Sequence, residues 1–481
     1  MAGRFLTLFK PLSRFMPEVS APVRRVGFNE KIFWIVMALV LYLIMSEVPL
    51  FRVGRGGGWE LTYLRVIFAS NRGTLMELGI GPIVTAGLIL QLLAGSGMIA
   101  CDFTNPDDRS LFTTASKFFS IVMTGVQASA YLIGGVYGSL DFGTSTLVFL
   151  QLLTAGLVLM LLDEMIQKGW GIGSGISLFI LAGVAQRVLW DSLAPTPPMG
   201  DGKSSGAFVA LFQTLMNREP LINAFIRVDS EGNALNLPTM LGFFTTLAVF
   251  FIVIYIEGIR VEIPVSHASY RGFRGKYPIK LLYVSNLPVI FASALFANVY
   301  FFSQLLWSRL GQPKPGEIFW LDLIGQYTWT KEGQPQPVGG LVHYVVSPRS
   351  ISEVVSDPVR AIAFVGIMVT FCIIFSLTWL EVGGLGPRTV AKQLVDAGMQ
   401  IPGFRRSNRP IELVLKRYIP IVTILGGLIV GLIASVADFF GVFGTGMGIL
   451  LSVGILYQYY QLLVQERVAE MYPAFRRLLG G

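Results

Sequence analysis

An all-α polytopic membrane protein, with ten transmembrane helices in two inverted five-helix halves, is what three observations on this sequence predict. Of 481 residues, 53% are hydrophobic and only 14% charged, and the mean hydropathy of +0.63 is far above that of a soluble chain. Ten apolar runs near the length that crosses a bilayer follow one another along the chain. The spelling G-x-G-x-G-I opens both the fifth run, at Gly171 to Ile176, and the tenth, at Gly444 to Ile449. Five is odd, so two such halves lie in opposite orientation, an arrangement that builds pathways at the interface between repeats.

Residues 1–31 form a basic, amphipathic tail (Arg4, Lys10, Arg14, Arg24, Arg25, Lys31) with no small-residue cleavage site after the first apolar run, so no removable signal peptide is expected. The first half, 32–189, holds runs at Ile32 to Val48, Leu78 to Met98, Phe118 to Val136, Leu147 to Leu162 and Gly175 to Leu189. A Gly/Pro-rich loop, 190–239, follows. The second half, 240–463, holds Met240 to Ile256, Leu281 to Leu306, Ala361 to Leu380, Ile419 to Phe440 and Gly446 to Leu463, before a tail at 464–481. Basic residues crowd the loops 258–280 (Arg260, Arg271, Arg274, Lys276, Lys280) and 381–417 (Arg388, Lys392, Arg405, Arg406, Arg409, Lys416, Arg417). The positive-inside rule makes these loops and both tails cytoplasmic, and leaves 190–239 and the insertion Trp307 to Pro358 outside.

Trp59 to Leu93 enters the apolar environment in pieces. A short amphipathic run, Thr62 to Ala69, is followed by the polar break Asn71-Arg72-Gly73-Thr74 and then by an apolar helix containing Gly-Ile-Gly-Pro. Lipid cannot satisfy an open backbone, so such a break must line a cavity or be buried in protein.

Catalytic chemistry is hard to find. His267 and His343 lie in connectors without partner ligands, Cys101 and Cys372 are too few for a disulfide framework or a zinc cluster, and there is no phosphate-binding G-x-x-x-x-G-K-[ST] loop. No metal, no cofactor and no enzyme activity are expected. The net charge of +8 is accounted for by topology and by contact with anionic lipids. Glu47, Asp163, Glu164, Glu257 and Asp438 all fall at run ends, where headgroup contact is cheap, and the middles are nearly free of ionisable groups. A coupled secondary transporter, the alternative reading of an inverted repeat, would need a buried carboxylate or comparable polar site at the midplane.

The segments GTLMELGIGPIVTAGLILQLLAGSG (Gly73 to Gly97), KGWGIGSGISLFI (Lys168 to Ile180), RVEIPVSHASYRGFRGKYPIKLLYVSNLPVI (Arg260 to Ile290) and LKRYIPIVTILGG (Leu415 to Gly427) resemble the SecY family, the large subunit of the protein-conducting channel. VEIP and GKYPIK resemble its archaeal branch and RVIFASNRGTLMELG also its eukaryotic one. The resemblance implies a central pore with a short plug helix at 59–71 carrying Trp59, Leu61, Tyr63, Leu64, Val66, Ile67 and Ala69. It implies a hydrophobic pore ring of Ile80, Val84, Ile176, Ile180, Ile290 and Leu451, and a lateral-gate polar cluster of Thr85, Gln127 and Asn298. Arg271, Arg274, Lys276, Arg405 and Arg406 fall in the ribosome-docking loops. The implied partners are a SecE-type gamma subunit and a small beta subunit, the ribosome, the signal-recognition-particle pathway, the nascent polypeptide and membrane lipids. The implied location is the cell (plasma) membrane, with the endoplasmic reticulum membrane as the alternative.

Overall fold

A computed structural model of the chain describes residues 4–14, 16–24, 26–53, 73–95, 98–99, 101, 106–134, 137, 140–196, 201–227, 235, 237–267, 274–284, 287–329, 335–348, 350–400 and 408–471. Helices occupy all ten predicted places: α1 (Phe28–Glu47), α2 (Gly81–Gly95), α3 (Pro106–Ile133), α4 (Phe142–Met165), α5 (Gly175–Leu193), α6 (Met240–Gly258), α7 (Leu287–Arg309), α8 (Pro358–Val382), α9 (Asn408–Phe439) and α10 (Gly446–Met471). Eight of them are long and apolar enough to cross a bilayer alone. The other two are α3, whose first turn carries Asp107 and Asp108, and α2, whose 15 residues span about 22 Å against the roughly 30 Å of hydrocarbon.

The missing length before α2 is irregular chain, and it is buried. Thr74, Met76, Glu77, Leu78 and Ile80 are each less than a tenth exposed. Leu50 N–H donates to the Gly73 carbonyl at 2.8 Å and Leu75 N–H to the Val48 carbonyl at 3.0 Å, so the end of α1 satisfies this backbone. From Gly73 on, the break therefore sits inside protein, as the physics of lipid requires. The plug residues 59–71 lie outside the described residues.

The two halves share a device at their last helix. Gly173-Ser174-Gly175 and Gly444-Thr445-Gly446 both begin with a glycine at φ +79°, a conformation other residues avoid, and both end on the first residue of the helix. Asp163, near the end of α4, accepts the Ile176 N–H at 2.9 Å; Asp438, near the end of α9, accepts the Gly446 N–H at 2.5 Å. The approach is close: a Cβ on Gly175 would stand 2.7 Å from the Asp163 Cα, and one on Gly446 2.3 Å from the Ala434 carbonyl oxygen. Two sequence expectations are corrected here. The repeat register is shifted by two residues, pairing Gly175 with Gly446 rather than with Gly448. Asp163 and Asp438 are 8% and 6% exposed and cap a neighbouring helix, where headgroup contact had been expected.

Strands, which the hydropathy reading does not anticipate, organise the connectors. β1 (Arg260–His267) pairs antiparallel with β2 (Arg274–Lys280), in register from Arg260 opposite Lys280 to Ser266 opposite Arg274. β5 (Met399–Gln400) adds to the other edge of β1. Ile263 and Ile279 of the hairpin join Val390, Leu394, Ile411 and Leu415 in one apolar cluster, so loops 258–280 and 381–417 form a single platform on α9. On the opposite face β3 (Gln326–Trp329) and β4 (Pro335–Gly339) make a second hairpin.

The loop after α5 is held by a buried ion pair. Asp201 and Arg227 meet at 2.6 Å with side chains 6% and 1% exposed, and the guanidinium also donates to the carbonyls of Ser204, Ser205 and Pro238. Burial pushes the Asp201 carboxyl up, but Arg227 and the Lys203 N–H outweigh it and hold the carboxyl below its ordinary value. The contribution of Asp201 to stability is thus complete above about pH 4, the ordinary carboxylate value, and is lost as the pH falls through the lower folded value. Asp201→Ala, which strands a buried guanidinium, is expected to cost about 3–5 kcal/mol; pepsin digestion of the loop as a function of pH measures both effects. Asp163→Ala orphans helix-start N–H groups and is expected to cost about 1–3 kcal/mol in thermal unfolding, with Asp163→Asn recovering most of it.

Candidate functional site: an apolar centre and the seam beside it

The six residues assigned to the ring come from four helix starts. Ile80 immediately precedes α2 and Val84 lies in its first turn, Ile176 and Ile180 occupy the first two turns of α5, Ile290 the first turn of α7 and Leu451 the second turn of α10. Ile80, Val84, Ile180 and Leu451 are buried at 8% exposure or less and belong to one apolar cluster, against which the partly buried Ile176 and Ile290 pack. Spacings of four along a helix put Ile80 with Val84, and Ile176 with Ile180, on one face.

The shifted repeat register gives these positions an internal logic. Ile180 is the sixth residue of α5 and Leu451 the sixth of α10. Val84 is the fourth of α2 and Ile290 the fourth of α7, each two residues after a proline, Pro82 and Pro288. The sequence signal for this pairing, GPIV against LPVI, was present and is missed when only the glycine triplets are compared. The same register sets Met447 opposite Ile176; Met447 is fully buried, with its sulfur against Ser293 of α7.

Beside this centre, α2 of the first half packs against α7 and α8 of the second, and α3 reaches α7. Asn298 Nδ2 donates to Thr85 Oγ1 at 3.2 Å across the seam and to the Ala294 carbonyl at 2.8 Å within its own helix. Gln127, half-buried on α3, stands outside that bond. Further along, Tyr131 stacks on Phe301 with centroids 4.8 Å apart, and Ser308 Oγ donates to the Gly134 carbonyl at 3.2 Å. Neither contact is legible from residue type alone.

The opposite junction of the halves is more polar. Asp191 at the end of α5 accepts the Gly444 N–H at 3.0 Å across it, and within the second half Thr246 of α6 accepts the Phe443 N–H at 3.0 Å. Gly242 lies so close to Gly441 that a Cβ there would stand 2.3 Å from its carbonyl oxygen.

Of the docking residues, Lys276 is exposed on β2 and forms a diagonal cross-strand pair with Glu262 at 2.5 Å. Arg274 begins β2 opposite Ser266, while Arg271, Arg405 and Arg406 lie outside the described residues.

Ten helices, two halves and an uncharged apolar centre between them define a polytopic all-α membrane protein. Residues 74–460 match the family model described as SecY. The chain is 43% identical to the protein translocase subunit SecY of Pyrococcus furiosus over 98% of each chain. It is similar to a solved protein-conducting channel at a TM-score of 0.80 and 37% identity, over 97% of this chain and 98% of that one. It is also similar, at a TM-score of 0.78 and 37% identity over the same shares, to Sec61 in a canine ribosome-channel complex from the endoplasmic reticulum. The chain belongs to the SecY family.

A double-mutant cycle of Thr85→Val with Asn298→Leu is expected to give a coupling of about 0.6 kcal/mol, the average for such bonds inside membranes. Thermal unfolding of the four proteins in detergent measures it, and a coupling of zero would remove the bond from the seam.

Proposed function

We propose that this chain is the pore-forming subunit of a protein translocation channel, passing unfolded polypeptides outward and releasing apolar segments sideways into lipid. The observation that supports this reading is that aliphatic residues from four helix starts, two pairs of them at repeat-equivalent positions, belong to or pack against one apolar cluster. Apolar walls exclude ions by dewetting, and flexible aliphatic side chains adapt to any peptide passing between them. Ile80, Val84, Ile176, Ile180, Ile290 and Leu451 are the ring, and 59–71 the plug that closes it from outside.

The seam between α2–α3 and α7–α8 is the lateral gate, with Thr85, Gln127 and Asn298 as its polar cluster. Segments leave through it according to transfer free energy, leucine-like residues favoured and charges disfavoured by about 2.5–3.5 kcal/mol at mid-helix. The junction of α5, α6 and α10 is the hinge between halves 32–189 and 240–463. The channel has no catalytic step of its own; chain elongation on a bound ribosome supplies the drive, with delivery by the signal-recognition-particle pathway. The kinship with a ribosome-bound channel supports this, and Arg271, Arg274, Lys276, Arg405 and Arg406 on the platform loops supply cations for phosphate contact. A SecE-type gamma subunit and a small beta subunit brace the two halves. The complex resides in the plasma membrane with both termini cytoplasmic.

Replacing ring residues by serine or asparagine is expected to raise ion conductance in planar bilayers, most at the fully buried Ile80 and Leu451. Recordings identical to wild type at all six positions would sink the ring assignment. A photoreactive side chain at Val84 is expected to crosslink to a stalled nascent chain. A translocating system that yields no adduct there contradicts the path.

A further inference from the structure

The external loop between α5 and α6 is built inside out. Its helix Ala207–Met216 and short turn Ile222–Phe225 bury the small residues Ala207, Ala210, Thr214 and Ala224, while Phe212, Leu215, Met216, Leu221, Ile222 and Ile226 are each more than half exposed. Most of the charges go the other way, Arg218 alone among the loop's basic residues being exposed. Arg227 is buried with Asp201, Lys203 is buried against Glu219, and Gln213 turns inward to accept the Ser204 N–H at 2.9 Å. Polar groups paired within and large apolar groups without is the arrangement that hydrocarbon selects and water opposes.

The apolar face is also continuous with the lipid-facing surface of the spans. Phe225 stacks on Phe244 of α6 with centroids 6.2 Å apart and planes 5° apart, and Phe244 is itself 53% exposed. Phe244 lies four residues into α6, about 6 Å along its axis, so the loop touches the span below its outer end. On the other side Trp190 and Leu193, at the outer end of α5, are exposed as well, and an exposed tryptophan at a helix end marks the headgroup level.

We propose that residues 201–227 form an in-plane membrane element, its Phe212, Leu215, Met216 and Ile222 face seated among the acyl chains just beneath the headgroups of the outer leaflet. The occupant of the face is lipid. Seated there, the loop ties the α5–α6 connection to the membrane surface, and this holds whatever passes through the centre of the molecule.

The test uses the full chain with Cys101→Ser and Cys372→Ala, single cysteines in turn at Phe212, Met216 and Ile222, and an environment-sensitive fluorophore on each. These side chains are exposed, so the labels do not disturb the core. Reference labels go at Phe251, exposed in the middle of α6, and at Lys314, exposed on the other external insertion. In phosphatidylcholine vesicles the three loop labels are expected to be quenched several-fold more by lipid spin-labelled near the headgroup than by lipid labelled near the terminal methyl. They should be shielded from aqueous iodide; the Phe251 label should answer to the deep quencher and the Lys314 label to iodide. Iodide quenching of the loop labels equal to that at Lys314 would overturn the proposal. So would exclusion of both quenchers, which would mean that protein covers the face.

Discussion

Inside a bilayer every backbone N–H and C=O must find its partner within the protein, and the architecture of this chain depends on that constraint. Helix starts are where it bites, because the first turn of a helix has N–H groups with no partner of its own. The residues before α2 meet the demand by burial against the end of α1. At α5 and α10 the demand is met by a carboxylate from the preceding helix, Asp163 or Asp438, aimed at the new N-terminus. A negative group there also meets the positive end of the helix dipole. What composition alone presents as a stray charge near the membrane edge is the fastening between consecutive helices.

The same constraint explains why the apolar centre is assembled as it is. Helices that begin inside the protein bring their first two turns together, and these turns are where Val84, Ile180, Ile290 and Leu451 stand. Because each half repeats the device, the centre receives matched contributions from both. The boundary between halves is unequal on its two sides. One side rests on a hydrogen bond, an aromatic stack and a hydroxyl at the far end of α7. The other has the Gly444 amide locked to Asp191 and the Tyr459 hydroxyl of α10 donating to the Ser174 carbonyl at 2.7 Å.

Hydropathy made the helices legible because a span must be apolar over most of the bilayer's thickness, and that requirement is written residue by residue. The Thr85 and Asn298 contact was legible only through kinship, since a threonine and an asparagine separated by 213 positions carry no mutual signal. The platform sheet was not legible. Its strands, with Pro264 and Pro278 inside them and charges along them, read as a basic loop, and their pairing is decided by the cluster beneath them rather than by local propensity. The glycine triplets pointed to a real repeat in the wrong register, because φ and close approach determine the match and letters do not.

The platform has a mechanical consequence. Both connectors that build it, 258–280 and 381–417, arise from the second half, and their shared core rests on α9. Three strands from two loops move as one body, so the sheet is a handle fixed to one half. A load applied to it acts as a torque on α6 through α9, with the locked junction at Asp191 as fulcrum and the lightly held seam as the free end.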